Sequence, residues 1–222
     1  MTTSRKFVNL LFVMLLASTL CVSAPQAEAA EFPTIAEQTS PLTTGDAAPS
    51  FDVKTTENET FSFDPSSLQK PVVLISFRGG WCPYCNMHLS ELRTVIPEIR
   101  AIGFDVLFIS NDRPEILQSG LMNETKEDLE GLDYTILSDA NLNAAQAFGT
   151  AFMAPDKLLA WLKSEEKDIA ESSIANHGAL AVPAVYVVDT DGMIVFDYVN
   201  ANYKVRLPAD ELLVAAQNAN RN

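Results

Sequence analysis

Residues 72–85 read VVLISFRGGWCPYC. Val72 to Phe77 is a short, nearly unbroken apolar run, the pattern of a strand buried on both faces. Gly79 and Gly80 turn the chain, and a helix is predicted from about Cys82, with Pro83 at its first position, where a missing N–H costs nothing. Cys82 then falls near the N-cap and Cys85 about one turn later, so both sulfurs share a face and can join when oxidised. The unpaired N–H groups and dipole of such a helix end favour thiolate over thiol. Arg78 adds positive charge nearby, and Trp81 is expected to cover the sulfurs. Strand, glycine turn, Trp-Cys-Pro-Tyr-Cys and helix, in that order, read as a redox pair in which one thiolate attacks and the other thiol resolves the adduct.

Other readings of the cysteines stay open at this point. By count, Cys82, Cys85, His88 and His177 make a zinc or copper set, although His177 stands alone and far along the chain. An inert disulfide is the weakest choice, because a loop this short constrains the unfolded chain very little. His88, three residues after Cys85 on the same helical face, is placed to share a proton with that thiol or to hold an anion; otherwise it is a partly exposed surface side chain. No cofactor and no resident metal is expected for a thiol pair of this kind.

On either side of this stretch, strands and helices alternate. Phe51 to Val53 and Thr60 to Phe63 suggest a small hairpin, and Phe104 to Ile109 and Tyr134 to Leu137 suggest further strands. Helical spacing continues to Ile99, with Pro97 expected to kink or restart the helix. Asn141 to Phe148 and Pro155 to about Ser173 read as helices. Pro183 opens the strand Ala184 to Val188, since proline cannot donate to a sheet ladder and belongs at a strand's start. A cis bond is expected there, pressing Pro183 against the active-site helix. Thr190-Asp191-Gly192 turns into Met193 to Val199, and a last helix runs from Pro208 to Asn218. The pattern is that of an α/β domain, a central sheet with helices on both faces, over residues 45–222.

The 222 residues include 15 Lys and Arg against 29 Asp and Glu, a net charge of −14 that disfavours nucleic acid and anionic membrane surfaces as partners. Arg5 and Lys6, the apolar run Phe7 to Leu20 and the small-residue site Ala27-Glu28-Ala29 describe a cleaved secretory signal over residues 1–29. Residues 30–44, rich in Thr, Pro and Ser, read as a flexible linker. Cleavage removes Cys21 and leaves Cys82 and Cys85 as the only cysteines of a secreted or periplasmic chain, with no membrane contact afterwards.

The sequence resembles the alkyl hydroperoxide reductase/thiol-specific antioxidant (AhpC/TSA) family of redoxins, in its peroxiredoxin-like branch. Phe77-Arg78-Gly79-Gly80-Trp81-Cys82-Pro83-Tyr84-Cys85-Asn86 reproduces most of the branch's F-x-R-G-G-W-C-P-Y-C-N core. Gly45 to Phe51, Leu137-Ser138-Asp139 with Ala147-Phe148-Gly149, and Val182-Pro183-Ala184 with Asp189 and Asp191-Gly192 match further elements, and Ala201 to Arg206 a late one loosely. The resemblance implies a thioredoxin-like fold and a thiol peroxidase that reduces hydrogen or organic peroxides through a Cys82/Cys85 dithiol–disulfide cycle. An external thiol reductant, such as a thioredoxin-like protein, would restore the thiols.

Alignment puts Cys85 at the family's peroxidatic position, with Cys82 in place of a Thr, Pro183 in place of an Arg and His88 in place of a Glu. Arg78 would then have to supply the missing donor. The C-P-Y-C itself, shared with glutaredoxins, fits a second enzyme, a thiol–disulfide oxidoreductase in which Cys82 attacks and Cys85 resolves. A secreted metal-binding redoxin, carrying copper without catalysis, is the third reading.

Overall fold

The computed structural model describes residues 32–221, so the expected signal segment lies outside the described residues. The elements in chain order are Phe51–Lys54 (β1), Thr60–Phe63 (β2), Val72–Phe77 (β3), Pro83–Leu92 (α1), Ile96–Ala101 (α2), Asp105–Ser110 (β4), Asn123–Leu129 (α3) and Thr135–Ser138 (β5). They continue with Asn143–Ala147 (α4), Ala151–Met153 (β6), Asp156–Ser164 (α5), Ser173–His177 (α6), Ala179–Ala181 (β7), Ala184–Val188 (β8), Ile194–Val199 (β9) and Ala209–Ala219 (α7).

Seven strands form one mixed sheet in the order β2-β1-β5-β4-β3-β8-β9. β3 pairs parallel with β4 and antiparallel with β8, which places it inside the sheet. Its side chains alternate between two cores. Val73, Ile75 and Phe77 pack with Leu89, Leu92, Ile96, Ile99 and Leu212 from α1, α2 and α7 on one face. Val72 and Leu74 pack with Ala144 and Phe148 from the α4 region on the other. An unbroken apolar run is what a strand covered on both faces requires, and the expected α/β arrangement is the one observed.

One small sheet joins the expected elements, and two local expectations change. β6 and β7 pair antiparallel as a separate two-stranded sheet; at three residues each they are too short to show a period. The long helix expected from Pro155 to Ser173 stops at Ser164, with Glu166 at φ 47, and a new one begins at Ser173. Residues 32–44, read as a flexible linker, lie packed on the domain. Met153 donates its N–H to Pro33 O at 2.8 Å, Leu42 to Phe148 O at 3.1 Å, and Phe32 rests against the small core around Ala151 and Ala179. Pro97 does restart the helix, in the first turn of α2.

The turn between β3 and α1 admits only glycine. A Cβ on Gly80 would stand 2.4 Å from both C and O of Gly120, backbone atoms with no side-chain freedom to yield. Gly80→Ala is therefore expected to destabilise the domain by about 1–3 kcal/mol, read from the denaturant midpoint at unchanged slope. An unchanged midpoint would show that the Gly120 loop moves aside without cost.

Candidate active site

The end of β3, the glycine turn and the first turn of α1 deliver both cysteines to one place. Cys82 is the N-cap with an extended backbone, Pro83 occupies the first turn, and Cys85 follows one turn on. Both sulfurs are unbonded thiols and both residues are 1% exposed. Asn86 ties the turn together: its Nδ2 donates to Gly80 O at 2.7 Å and to Cys82 O at 3.0 Å, while its Oδ1 accepts the Met122 N–H at 2.8 Å.

The two thiols are not equivalent. Arg206 Nη2 donates to Cys85 Sγ at 3.2 Å. Burial opposes ionisation of Cys85, but the Cys82 S–H, the Arg206 charge, and the Arg78 backbone N–H and guanidinium outweigh it and bring the thiol down to about 6. Cys82 moves the other way. It donates its proton to Cys85, it is buried, and the Cys85 charge repels a second one, so its ionisation is pushed far up. Of the two, Cys85 is the sulfur whose negative charge its surroundings favour.

The Arg78 guanidinium is held among aromatic rings. It lies 4.5 Å from the Tyr203 ring centroid and 5.3 Å from that of Trp81, in a stack that Tyr84 extends edge-on to Tyr203 at 5.6 Å. Cation–π contacts of this kind hold a partly desolvated guanidinium with about 1–2 kcal/mol. Above the stack opens a groove of about 690 Å³, lined by Arg78, Tyr84, Trp161, Pro183, Tyr203 and Lys204 among others. Trp81 packs against the core that holds both cysteines and is tilted against Trp161 at 6.2 Å.

Two expected roles change. His88 is neither at the surface nor turned to the sulfurs. It is 4% exposed, and its Nε2 meets Leu207 O at 3.1 Å. Burial and the Arg206 charge, against that carbonyl, bring its ionisation down to about 4, so the ring is neutral and donates. It thereby anchors the backbone next to Arg206. Pro183 is buried and lines the groove, but its peptide bond is trans, as are all those among the described residues. Val182 and Pro183 separate β7, which ends at Ala181, from β8, which begins at Ala184, and Val182 donates its N–H to Thr150 O at 2.9 Å.

His88 and His177 do not join the sulfurs, and among the described residues no group of three or more His, Cys, Asp or Glu could hold a metal ion. The sequence reading missed Arg206 and Asn86 as site residues. Arg206 lay in a loosely matched element 121 positions from Cys85, and Asn86 stood in the core motif without an assigned partner.

The fold recurs in known proteins. The peroxiredoxin Bcp of Escherichia coli (strain K12) is 30% identical over 109 residues, which are 49% of this chain and 65% of that protein. The thiol-disulfide oxidoreductase ResA of Halalkalibacterium halodurans is 25% identical over 105 residues, 47% of this chain and 56% of that protein. Among solved structures, reduced Prx3 of Vibrio vulnificus in complex with H2O2 superposes with a TM-score of 0.60 at 15% identity, over 79% of this chain and 99% of that one. Both curated relatives are matched over less than two thirds of their length, but the profile of the AhpC/TSA family runs over residues 44–197, from ahead of β1 into β9 and through the whole cysteine turn. A match of that extent makes this chain a member of the AhpC/TSA family.

Proposed function

We propose that this protein is a thiol peroxidase that reduces hydrogen or organic hydroperoxides through Cys85 and Cys82. The observation that carries the reading is the Arg206 guanidinium 3.2 Å from the Cys85 sulfur. The Cys85 thiolate attacks one peroxide oxygen, the O–O bond breaks, and Cys85 becomes a sulfenic acid as the alcohol leaves. The Cys82 thiol then attacks Cys85, releasing water and forming the disulfide. An external dithiol, such as a thioredoxin-like protein, returns both to thiols. Arg206 beside the sulfur and Arg78 in the cover supply fixed positive charge for the oxygen on which negative charge develops. Pro183 shapes the groove and Trp81 excludes water.

The chemistry is checked by stopped flow on the reduced chain with one equivalent of hydrogen peroxide, following tryptophan fluorescence and thiol loss. Oxidation many orders of magnitude faster than a model thiol supports the reading, and a rate equal to the model thiol's ends it. Below about 6 Cys85 takes up a proton, so the rate constant is expected to fall as pH is lowered through that value and to level off above it. A rate that keeps rising to pH 9 would assign the reaction to an ordinary thiol.

Cys82 at the N-cap of α1, ahead of Pro83, favours the second reading, a thiol–disulfide oxidoreductase. Against it, burial and the neighbouring Cys85 push the ionisation of Cys82 up, which disfavours Cys82 as the attacking thiolate. The N-terminal sequence supports export, with residues 1–29 removed and the chain working in the periplasm or outside the cell; N-terminal sequencing of the exported form, expected to begin at Ala30, tests this.

A further inference from the structure

The steps above leave one buried acid unused. Asp112, just beyond β4, is 1% exposed. Its Oδ2 accepts the Gly80 N–H at 2.7 Å, inside the turn that carries Cys82. Its Oδ1 is buried without a hydrogen-bond partner, as is the indole Nε1 of Trp81. The two flank one point: a Cβ on Gly79 would stand 2.6 Å from the oxygen and 2.4 Å from the nitrogen. The charged groups that reach Asp112 are the Cys85 sulfur from α1 and the neighbouring Arg113, whose guanidinium is engaged by both oxygens of Asp168 at 2.7 Å. Its remaining polar contacts are two hydroxyls: Ser110 takes the Asp112 N–H at 3.1 Å and favours the charged carboxylate, and Ser138 donates to the Asp112 carbonyl at 2.6 Å. A buried carboxylate with one N–H donor, one orphaned oxygen and a thiolate for a neighbour is poorly solvated as an anion. Burial, against the Gly80 N–H and with the Cys85 charge added, pushes its ionisation up to about 7.

We propose that Asp112 stores the second proton consumed by the dithiol cycle, neutral opposite the Cys85 thiolate and ionised once the two thiols have become a disulfide. The destination of that proton rests on the peroxidase reading. The Cys85 thiolate takes one OH from the hydroperoxide and releases an alkoxide, or hydroxide from hydrogen peroxide. Asp112 supplies the proton that makes it an alcohol or water. Cys82 then bonds to Cys85 as its own proton leaves with the sulfenic OH as a second product water. The sulfurs lose two electrons and the peroxide gains them. Both protons come from inside the protein, and the buried site carries one negative charge before and after. Without Asp112 the same cycle has to draw one proton from solvent.

The test uses the reduced full-length chain in weak buffer with a pH indicator, at a pH between about 6 and about 7. One equivalent of hydrogen peroxide is expected to cause no net proton uptake by the wild type, and uptake of one proton per disulfide by Asp112→Asn. A companion measurement needs neither the variant nor peroxide. The reduced-minus-oxidised infrared difference spectrum of the wild type, with diamide as a two-electron, two-proton thiol oxidant, should show a buried carboxylic-acid carbonyl lost on oxidation. One proton taken up by the wild type, or no carbonyl change with diamide, overturns the proposal. So does the same carbonyl change in a folded Asp112→Asn. If diamide reveals the band while peroxide oxidises neither protein, the stored proton stands and the peroxidase reading falls.

Discussion

Cys85→Ser is expected to abolish peroxide-dependent oxidation, lowering the rate constant by at least about a thousandfold, as loss of a nucleophile does elsewhere. The reason is the position of the charge. Arg206 Nη2, the Cys82 S–H and the Arg78 N–H all converge on the Cys85 sulfur, and a serine hydroxyl there does not ionise at neutral pH. Cys82→Ser should behave differently. Cys85 keeps its guanidinium and still attacks, but no thiol resolves the product, so one sulfenic acid per chain accumulates and oxidises further with excess peroxide. Sulfenic-acid trapping and intact mass on both variants separate these outcomes. Reaction in Cys85→Ser with a dead Cys82→Ser would reverse the roles and favour the disulfide oxidoreductase.

Arg206→Ala is expected to cost about 10²–10³ in the rate constant, the range for removing one donor aimed at developing charge. Its second signature separates electrostatics from misfolding. With the adjacent cation gone, the pH at which Cys85 ionises rises by about 1–3 units, read from thiolate absorbance against pH. Arg206→Lys should recover part of both effects, because it keeps the charge and loses the fork geometry. His88→Ala is expected to show a weaker form of the same pair, since it frees the Leu207 carbonyl beside Arg206 without removing the charge. An Arg206→Ala protein that retains both the rate and the ionisation pH would remove Arg206 from the mechanism and leave Arg78 as the functional cation.

Much of this site was legible in fourteen residues. Val72 to Cys85 specifies a doubly buried strand, a glycine turn and a helix start because each depends on neighbours a few positions away. Period, missing Cβ atoms and a proline N–H are all local quantities. The same locality explains the misses. β6 and β7 are three residues each and gain their identity from pairing with each other. His88 looked like a surface residue on its own helix, and it is buried because Leu207, 119 positions away, comes to lie against it.

The cysteine pair, its place at a helix N-terminus and the α/β class were therefore contained in the order of the residues. Which sulfur carries the charge was not. That depends on Arg206, 121 positions from Cys85. Coulomb and desolvation energies follow separation through space and depth beneath the surface, and the folding of the sheet sets both.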